Sequence, residues 1–327
     1  MSASALYRPA PTLQLTRPSE DTLQLQTENC TVELEGSSAT LFETRILPLL
    51  DGKTSAQSIC NQVGLGSVDD LTALLSGLQN AGILLGGRGE HAFLDYADML
   101  GLDRGGLEQR LDELRVAVVG GDRLGTAIHE ELAALSVGHL TLIDPAEDDG
   151  KHALSPEALV AAAREHEYMV STFGDAFPAI DHRVNRAVHE VGTAALFCRV
   201  GVTRSSVGPL VFPSETACFT CWRMRAAACA DDFERFMGFE ESAAQRTTPV
   251  AHPASKLGFL AKIVAGTAVT ELLKSALALG QVTVTDALLE YEPFKDGWTR
   301  HTLLRRPDCP DCSKKKFNFQ IDQVLAT

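Results

Sequence analysis

The chain has 327 residues, 45% of them hydrophobic and 22% charged, which suffices for two folded domains and excludes wholesale disorder. Its formal net charge of −14 excludes a broad basic surface, so we expect no nucleic-acid partner. The sequence has no apolar run of the roughly 18 residues that a membrane-spanning helix needs, and Met1–Leu15 lacks an apolar signal-peptide core. We therefore expect a cytoplasmic protein without membrane contact, whose thiols stay reduced.

The amino-terminal region predicts short strands. Leu13–Leu15 and Leu23–Leu25 flank a turn at Arg17–Asp21, and Thr31–Leu34 alternates apolar and polar side chains before Gly36. Three helices are expected next, and they open at Ser37 or Ser38, at Thr54 and at Ser67. The third helix carries four leucines at helical spacing: Leu71, Leu74, Leu75 and Leu78. Strands followed by three helices predict a small α+β, winged-helix-like domain.

A glycine-rich segment, Gly86–Gly89, marks a linker, and a helical stretch around Tyr96–Leu114 leads onward. A buried strand, Arg115–Val119, then ends in two glycines, and it is followed by a helix and by the strand His139–Ile143. This βαβ pattern predicts a Rossmann-type α/β domain. The expected division is 1–88 for the first domain, 89–111 for the linker helix and 112–327 for the second domain.

Two Cys-x-x-Cys pairs indicate a metal site. Cys218 and Cys221 form the first pair, and Cys309 and Cys312 form the second. Two such knuckles together complete a tetrahedral four-thiolate site for Zn²⁺, which leaves no open position for water and is therefore structural. The alternatives are two unrelated pairs or a redox motif. Cys229 does not match the spacing of a knuckle.

The turn after the first Rossmann strand is an imperfect phosphate-binding turn. Gly120 and Gly125 occupy the outer positions, where glycines let a phosphate approach backbone N–H groups. Asp122 stands at the middle glycine position and adds a negative charge. Asp144 ends the second strand, where a ribose-binding acid is common. The turn is as compatible with a lost nucleotide site as with a working one.

These features, with the segment Thr172–Asp175 and the paired knuckles, occur in the order of E1-like (ThiF-like) adenylating proteins, which residues 112–315 resemble. The resemblance implies that Asp175 matches a magnesium-binding Asp. Active members have Asn, Arg, Gln and Lys after the residue corresponding to Asp144, whereas no Asn or Gln lies between Asp144 and Tyr168 here. Phosphoryl chemistry depends on such cations. We therefore expect a vestigial nucleotide site formed by Gly120, Gly125, Asp144 and Asp175.

Residues 1–85 resemble the peptide-clamp domain, also called the RiPP recognition element, which is similar to the small PqqD-like protein of pyrroloquinoline quinone biosynthesis. The resemblance rests on Thr31–Leu34, on Leu49–Thr54 and on Leu74–Leu84. It implies that a leader peptide adds as a strand beside Thr31–Leu34 and packs on the third helix. The expected peptide contacts are Val32, Leu34, Leu71, Leu74, Leu75 and Leu78.

A clamp domain fused to an E1-like domain resembles the leader-binding partner of thiazole/oxazole-modified microcin cyclodehydratases. The resemblance implies a non-catalytic subunit that binds a precursor leader and presents it to a YcaO-type cyclodehydratase. It also implies a homodimer, and it allows a flavin dehydrogenase as a further partner. The alternative is an E1-like enzyme that adenylates a ribosomal peptide with ATP and Mg²⁺. A nicotinamide dehydrogenase is disfavoured, because it would need the missing middle glycine and would leave the cysteine pairs unexplained.

Overall fold

The computed structural model describes residues 4–87, 89, 91–144, 154–174, 178–244, 257–295 and 297–313. The chain divides into two compact units, Met1–Arg110 and Leu111–Thr327. The domain boundaries expected from the sequence stay a prediction. In the described part of the chain, none of the helices is long and apolar enough to cross a bilayer.

The first unit combines five short strands with helices. The strands are β1 (Tyr7–Pro9), β2 (Gln14–Ser19), β3 (Thr22–Gln26), β4 (Thr31–Glu35) and β5 (Leu84–Gly86). The helices are α1 (Ser37–Leu41), which continues through a π-helical turn (Phe42–Ile46) and a 3-10 turn (Leu47–Leu49), α2 (Ala56–Val63), α3 (Val68–Asn80) and α4 (Ala92–Met99). Strands β2, β3 and β4 form an antiparallel sheet in that order, and β1 pairs with β5.

The helix starts in this unit follow from side-chain capping. Ser55 accepts the backbone N–H of Ser58, so α2 begins one residue later than a cap at Thr54 would place it. Ser67 accepts the N–H of Asp70 and caps α3 as the sequence indicates. Inside the unit, one face of the sheet and the buried stripe of α3 share a core that includes Leu23, Leu25, Phe42, Ile59 and Leu75.

The helical stretch expected around Tyr96–Leu114 is divided into two helices. Helix α4 ends at Met99, and α5 (Arg104–Glu113) begins after four intervening residues. The break lies at Gly101, whose φ of 69° belongs to the left-handed region. A Cβ there would lie 2.4 Å from the carbonyl oxygen of Asn80, so the residue must be glycine where the chain turns against α3.

The second unit is built on a seven-stranded sheet. Its strands are β6 (Arg115–Val119), β7 (His139–Ile143), β8 (Tyr168–Ser171), β9 (Ala194–Arg199), β10 (Ser205–Val211), β11 (Ala287–Glu292) and β12 (Gly297–Thr302). Its helices are α6 (Arg123–Ala134), α7 (Pro156–Glu165), α8 (Pro178–Val191), α9 (Phe219–Ala228), α10 (Phe233–Ala244) and α11 (Gly258–Ala276). The strand order is β12-β11-β10-β9-β8-β6-β7.

The sheet joins a parallel half to an antiparallel half. Strands β7, β6, β8 and β9 are parallel, whereas β10, β11 and β12 run antiparallel to their neighbours. Strand β8 is buried at every position, as expected for a parallel strand covered by helices on both faces. The carboxyl ends of β6, β7 and β8 meet at one edge, where Gly120, Asp144 and Thr172 follow the strands.

Candidate functional site

The four predicted metal ligands converge in the second unit. Cys218 Sγ lies 3.6 Å from Cys309 Sγ, and Cys221 Sγ lies 3.4 Å from Cys312 Sγ. All four sulfurs lie within 4.8 Å of one another, and all four residues are buried. Zinc–sulfur bonds of about 2.3 Å place the sulfurs of a tetrahedral site about 3.8 Å apart. The cluster therefore has the dimensions of a four-thiolate metal site.

Each knuckle is shaped by a local turn. Cys218 holds the N-cap position of α9, and its carbonyl accepts the N–H of Trp222 at 3.1 Å, so Cys221 falls in the first helical turn. In the second knuckle, Cys309 donates its N–H to Arg306 O at 3.3 Å. The N–H of Arg306 points at Cys221 Sγ at 3.3 Å and stabilises negative charge on that sulfur.

A buried polar network holds the two knuckles together. Asp311, between the cysteines of the second knuckle, accepts hydrogen bonds from Thr220 Oγ1 at 2.5 Å and from Asn185 Nδ2 at 3.0 Å. Asn185 Oδ1 in turn accepts the N–H of Phe219 at 3.1 Å. Because Thr220 lies inside the first knuckle and Asn185 on α8, the network fixes both turns relative to the sheet.

The chemistry of the cluster suits Zn²⁺ in a closed structural site. Hydrogen bonds among the sulfurs raise the pKa of Cys218 and lower the pKa of Cys221, so the cluster already favours a thiolate at one position. A bound dication would replace the protons that remain on the other cysteine thiols, because the thiolate is the form that binds metal. Of the other thiols, Cys229 is exposed and outside the cluster, and burial raises the pKa of Cys198.

The candidate nucleotide crevice lies at the carboxyl edge of the parallel strands. A Cβ on Gly125 would lie 1.9 Å from the carbonyl oxygen of Gly120, and a Cβ on Gly120 would lie 2.0 Å from Thr172 Oγ1. Both glycines are therefore needed for the close contact between α6 and the strands. Packing alone therefore gives both glycines a structural role.

Two carboxylates occupy the mouth of this turn. Asp122 is the N-cap of α6: its Oδ1 accepts the N–H of Gly125 at 3.0 Å and the hydroxyl of Thr172 at 3.3 Å. The Asp144 carboxylate lies against Gly121, where a Cβ would approach it to 1.9 Å. Burial raises the pKa of Asp122, and the charge of Asp144 raises it further. The backbone at Gly125 and Gly121, which would face a phosphate in a nucleotide-binding turn, thus faces the carboxylates of Asp122 and Asp144.

The sequence placed Asp122 in the turn but missed its capping role. An Asp directly before a helix is itself a capping signal, and that signal identifies the role. Asp175 lies outside the described residues. One helix, α7, fills the segment before β8, and its Arg164 is exposed and lies 3.8 Å from Glu190. Arg183, on α8, donates to Leu154 O at 3.3 Å.

The expected peptide edge is β4, the last strand of its sheet in the described part of the chain. Val32 lies opposite Leu25, and Leu34 lies opposite Leu23, so both side chains point to the core face and are half-buried. Thr31, Glu33 and Glu35 are exposed on the other face. The strand therefore combines an open hydrogen-bonding edge with an apolar inner face.

Beside β4 lies a cavity of about 310 Å³, here called the leader groove. Apolar side chains from β4, α1, the π-helical turn, the α2–α3 turn and α3 line it: Leu34, Leu41, Phe42, Ile46, Leu65, Leu71 and Leu74. Leu74 is 37% exposed, whereas Leu75 and Leu78 are 0% and 3% exposed and belong to the core. Leu75 and Leu78 do not line the leader groove, and their contact with a peptide stays a prediction. The sequence missed Leu41, Phe42, Ile46 and Leu65.

The family model of the ThiF family matches residues 153–312. A search of curated protein sequences finds no match. Among solved structures, a heterocyclase in complex with substrate and cofactor gives a TM-score of 0.62 at 18% identity, covering 94% of this chain and 40% of that one. The heterocyclase TruD gives 0.58 at 20% identity, with coverages of 94% and 43%.

The MccB protein of E. coli gives a TM-score of 0.55 at 12% identity, covering 94% of this chain and 97% of its own. The present chain spans less than half the length of the two heterocyclases. At these identities the likenesses establish a shared fold. The stretch that the family model matches contains both cysteine knuckles and strands β8 to β12, so residues 153–312 form a ThiF-family domain.

Proposed function

We propose that the protein binds the leader of a ribosomal precursor peptide and presents it to a YcaO-type cyclodehydratase, without itself using ATP. The observation that carries the proposal is the pairing of an open strand edge, β4, with the leader groove beside it. The homodimer and the flavin dehydrogenase partner belong to the same proposal. A structurally similar protein supports it: MccB, a microcin C7 biosynthetic enzyme, has been solved in complex with N-formylated MccA.

The leader groove suits an extended peptide for a physical reason. A peptide that adds beside β4 gains main-chain hydrogen bonds, which hold it whatever its sequence. Alternate side chains of the added strand then point into the leader groove, where Leu34 of β4 and Leu71 and Leu74 of α3 offer apolar surface. Selectivity follows from the fit of one or two large apolar side chains into about 310 Å³.

The non-catalytic half of the proposal is supported by Asp122 and Asp144. A triphosphate at the start of α6 would meet two carboxylates and would displace the hydrogen bond of Asp122 to Gly125. The negative charges of these carboxylates would repel the phosphates. The N–H of Gly125 is already bonded to Asp122, so α6 has one donor fewer to offer a phosphate. The four cysteines would hold Zn²⁺ as a structural ion that fixes the two knuckles of the ThiF-family domain.

The competing function, adenylation of a precursor peptide, makes an opposite prediction for ATP. We would titrate ATP-Mg²⁺ into the full chain by calorimetry and measure pyrophosphate exchange with a precursor peptide encoded beside its gene. Our proposal expects no saturable binding at millimolar ATP and no exchange unless a YcaO protein is added. Exchange by this protein alone would establish the adenylating enzyme instead.

The peptide half is tested separately, by fluorescence anisotropy with the labelled leader of that precursor. Leu74→Glu places a charge in the leader groove and should weaken binding at least tenfold. Glu130→Gln, an exposed change on α6, serves as the matched control and should leave the affinity unchanged. Equal affinities for the Leu74→Glu variant and the unaltered chain would refute binding in this groove.

A further inference from the structure

A second cavity, of about 750 Å³, lies in the ThiF-family domain between α9 and strands β11 and β12. Five arginines line it, two of them from α9 and three from other parts of the chain: Arg199, Arg204, Arg223, Arg225 and Arg306. Among the described residues that line it, the one carboxylate is Glu290. Arg223 also pairs with Glu240 and Arg306 with Asp308, so part of the positive charge is neutralised. The lining of this arginine cavity still carries more arginines than carboxylates, in a chain whose net charge is −14.

Stacking on aromatic rings orients two of the arginines. The guanidinium carbons of Arg199 and Arg223 lie 5.5 Å and 5.4 Å from the ring centroid of Trp222, and Arg223 also lies 5.2 Å from the centroid of Phe236. Guanidinium groups stacked in this way cover the ring faces. A nucleobase would therefore have to displace an arginine to stack on Trp222. The arginine cavity favours a ligand with oxyanions over a nucleotide base.

Arg225 and Arg204 are not hydrogen-bonded to a carboxylate of the described residues. Arg225 donates its Nε–H to Leu304 O at 2.8 Å. The Arg204 side chain is 54% exposed and lies 3.6 Å from Glu290 and 4.0 Å from Glu292, longer than hydrogen-bond distances. Glu290 also lies 3.6 Å from His301 Nε2.

An apolar cavity of about 650 Å³ continues from the arginine cavity along α9 and α10. The two cavities share Arg223, Ala228, Phe236 and Arg306. The second cavity is also lined by Met224, Ala227, Phe233 and Met237, and Phe233 is 52% exposed. Two glutamates line it as well, Glu240, which is paired with Arg223, and Glu241. The surface thus offers arginines in one cavity and a flexible, sulfur-rich apolar lining in the other, a combination that suits a peptide segment with an acidic part and an apolar part.

We propose that this surface binds an acidic segment of a partner protein, with side-chain carboxylates on Arg204 and Arg225 and a neighbouring large apolar side chain against Phe233. The planar guanidinium group matches a carboxylate in a bidentate geometry, and arginine clusters recognise acidic motifs in this way. A free phosphate would use only the arginine end. All residues of the surface belong to the second unit, so the site is separate from the leader groove and extends the proposed function.

The test titrates the full chain into a fluorescein-labelled peptide, Glu-Asp-Glu-Leu-Phe, and into its amide counterpart, Gln-Asn-Gln-Leu-Phe, at low ionic strength. We expect the acidic probe to bind at least tenfold more tightly than the amide probe. The double variant Arg204→Gln/Arg225→Gln should lose at least tenfold in affinity, and Phe233→Ala should weaken the same probe.

Two variants serve as matched controls. Arg164→Gln removes an exposed arginine from α7, and Arg164 lines neither the arginine cavity nor the apolar cavity beside it. Leu74→Glu alters the leader groove alone. Both should leave the affinity for the acidic probe within twofold, and an unchanged melting temperature and metal content show that each variant folds.

Three results would overturn the proposal. They are equal binding of the two probes, an unaffected Arg204→Gln/Arg225→Gln variant, and displacement of the acidic probe by inorganic pyrophosphate at lower concentrations than by the unlabelled acidic peptide. The last result would identify a small-anion site. An unchanged affinity of Phe233→Ala would remove the apolar half of the assignment. Loss of leader binding in Leu74→Glu bears only on the leader groove, so the two proposals fail separately.

Discussion

Asp122 Oδ1 accepts the backbone N–H of Gly125 at 3.0 Å, so the amino terminus of α6 is closed by a carboxylate of its own chain. The same two residues frame the turn in which a nucleotide-binding protein would hold phosphate. One hydrogen bond therefore both starts the helix and removes a donor from the candidate nucleotide crevice. The same side chain thus stabilises the helix start and, in our proposal, opposes phosphate binding.

Replacing Asp122 by Asn should stabilise the protein at neutral pH. Burial raises the pKa of Asp122, so the folded state binds that proton more tightly than the unfolded chain does. Stability from such a group is present at low pH and is lost as pH rises through the folded pKa. Asparagine keeps an acceptor for the helix N-terminus without the charge. We expect a higher melting temperature for Asp122→Asn at pH 7.

The difference between Asp122→Asn and the unaltered chain should shrink as pH falls towards the ordinary aspartate pKa, because the Asp122 carboxyl is then protonated. Thermal unfolding followed by circular dichroism at several pH values measures it. Glu130→Gln removes an exposed charge from the same helix and serves as the control. A constant difference between Asp122→Asn and the unaltered chain at all pH values would show that the Asp122 charge does not oppose folding.

Alanine substitutions at two glycines should have opposite effects. A Cβ on Gly125 would lie 1.9 Å from a backbone oxygen, so α6 must move away from the strand, and we expect a loss of about 2 kcal/mol or more in unfolding free energy. Gly266 lies in α11 and has open space around it, so Gly266→Ala should gain about 0.5–1 kcal/mol. Urea unfolding measures both changes. A stable Gly125→Ala protein would mean that the close contact is not needed.

The four-cysteine cluster should bind one zinc ion per chain. Cys309→Ser and Cys312→Ser each remove one thiolate from a closed site, so metal content should fall and the melting temperature should drop by roughly 10 °C. Metal analysis by mass spectrometry and thermal unfolding check both effects. Cys229→Ser changes an exposed thiol outside the cluster and should keep the metal. Loss of zinc in that variant instead would contradict the assigned ligand set.

Neighbouring leucines on α3 should separate binding from stability. Leu75 is 0% exposed, so Leu75→Ala opens a cavity and should cost about 2–5 kcal/mol in unfolding free energy. Leu74 is 37% exposed, so Leu74→Ala should change stability by less than about 0.5 kcal/mol while weakening leader binding. Urea unfolding and anisotropy with the labelled leader give the two readouts. If Leu74→Ala leaves the affinity intact, the peptide does not reach this part of the leader groove.

The helix starts and strands that depend on a few neighbouring residues could be predicted from the sequence. The start of α3 follows from Ser67 and its first-turn acids, and the strand β6 follows from an apolar run ending in glycine. The leucine spacing correctly identified an amphipathic α3. It could not tell Leu74 from Leu75, because adjacent residues can both border a helical apolar stripe, and only the packed neighbours decide which one is covered.

By itself, the sequence determined the two Cys-x-x-Cys pairs and the βαβ unit, since short spacings and periodicities carry that information. Only the tertiary structure decided that Cys218 meets Cys309 across 91 residues, that Asp144 lies against Gly121, and that arginines from several parts of the chain share one cavity. Such contacts depend on the order and register of the strands, which long-range packing sets. No local pattern says which distant residues meet, because side chains of the same type are equally compatible with an exposed surface.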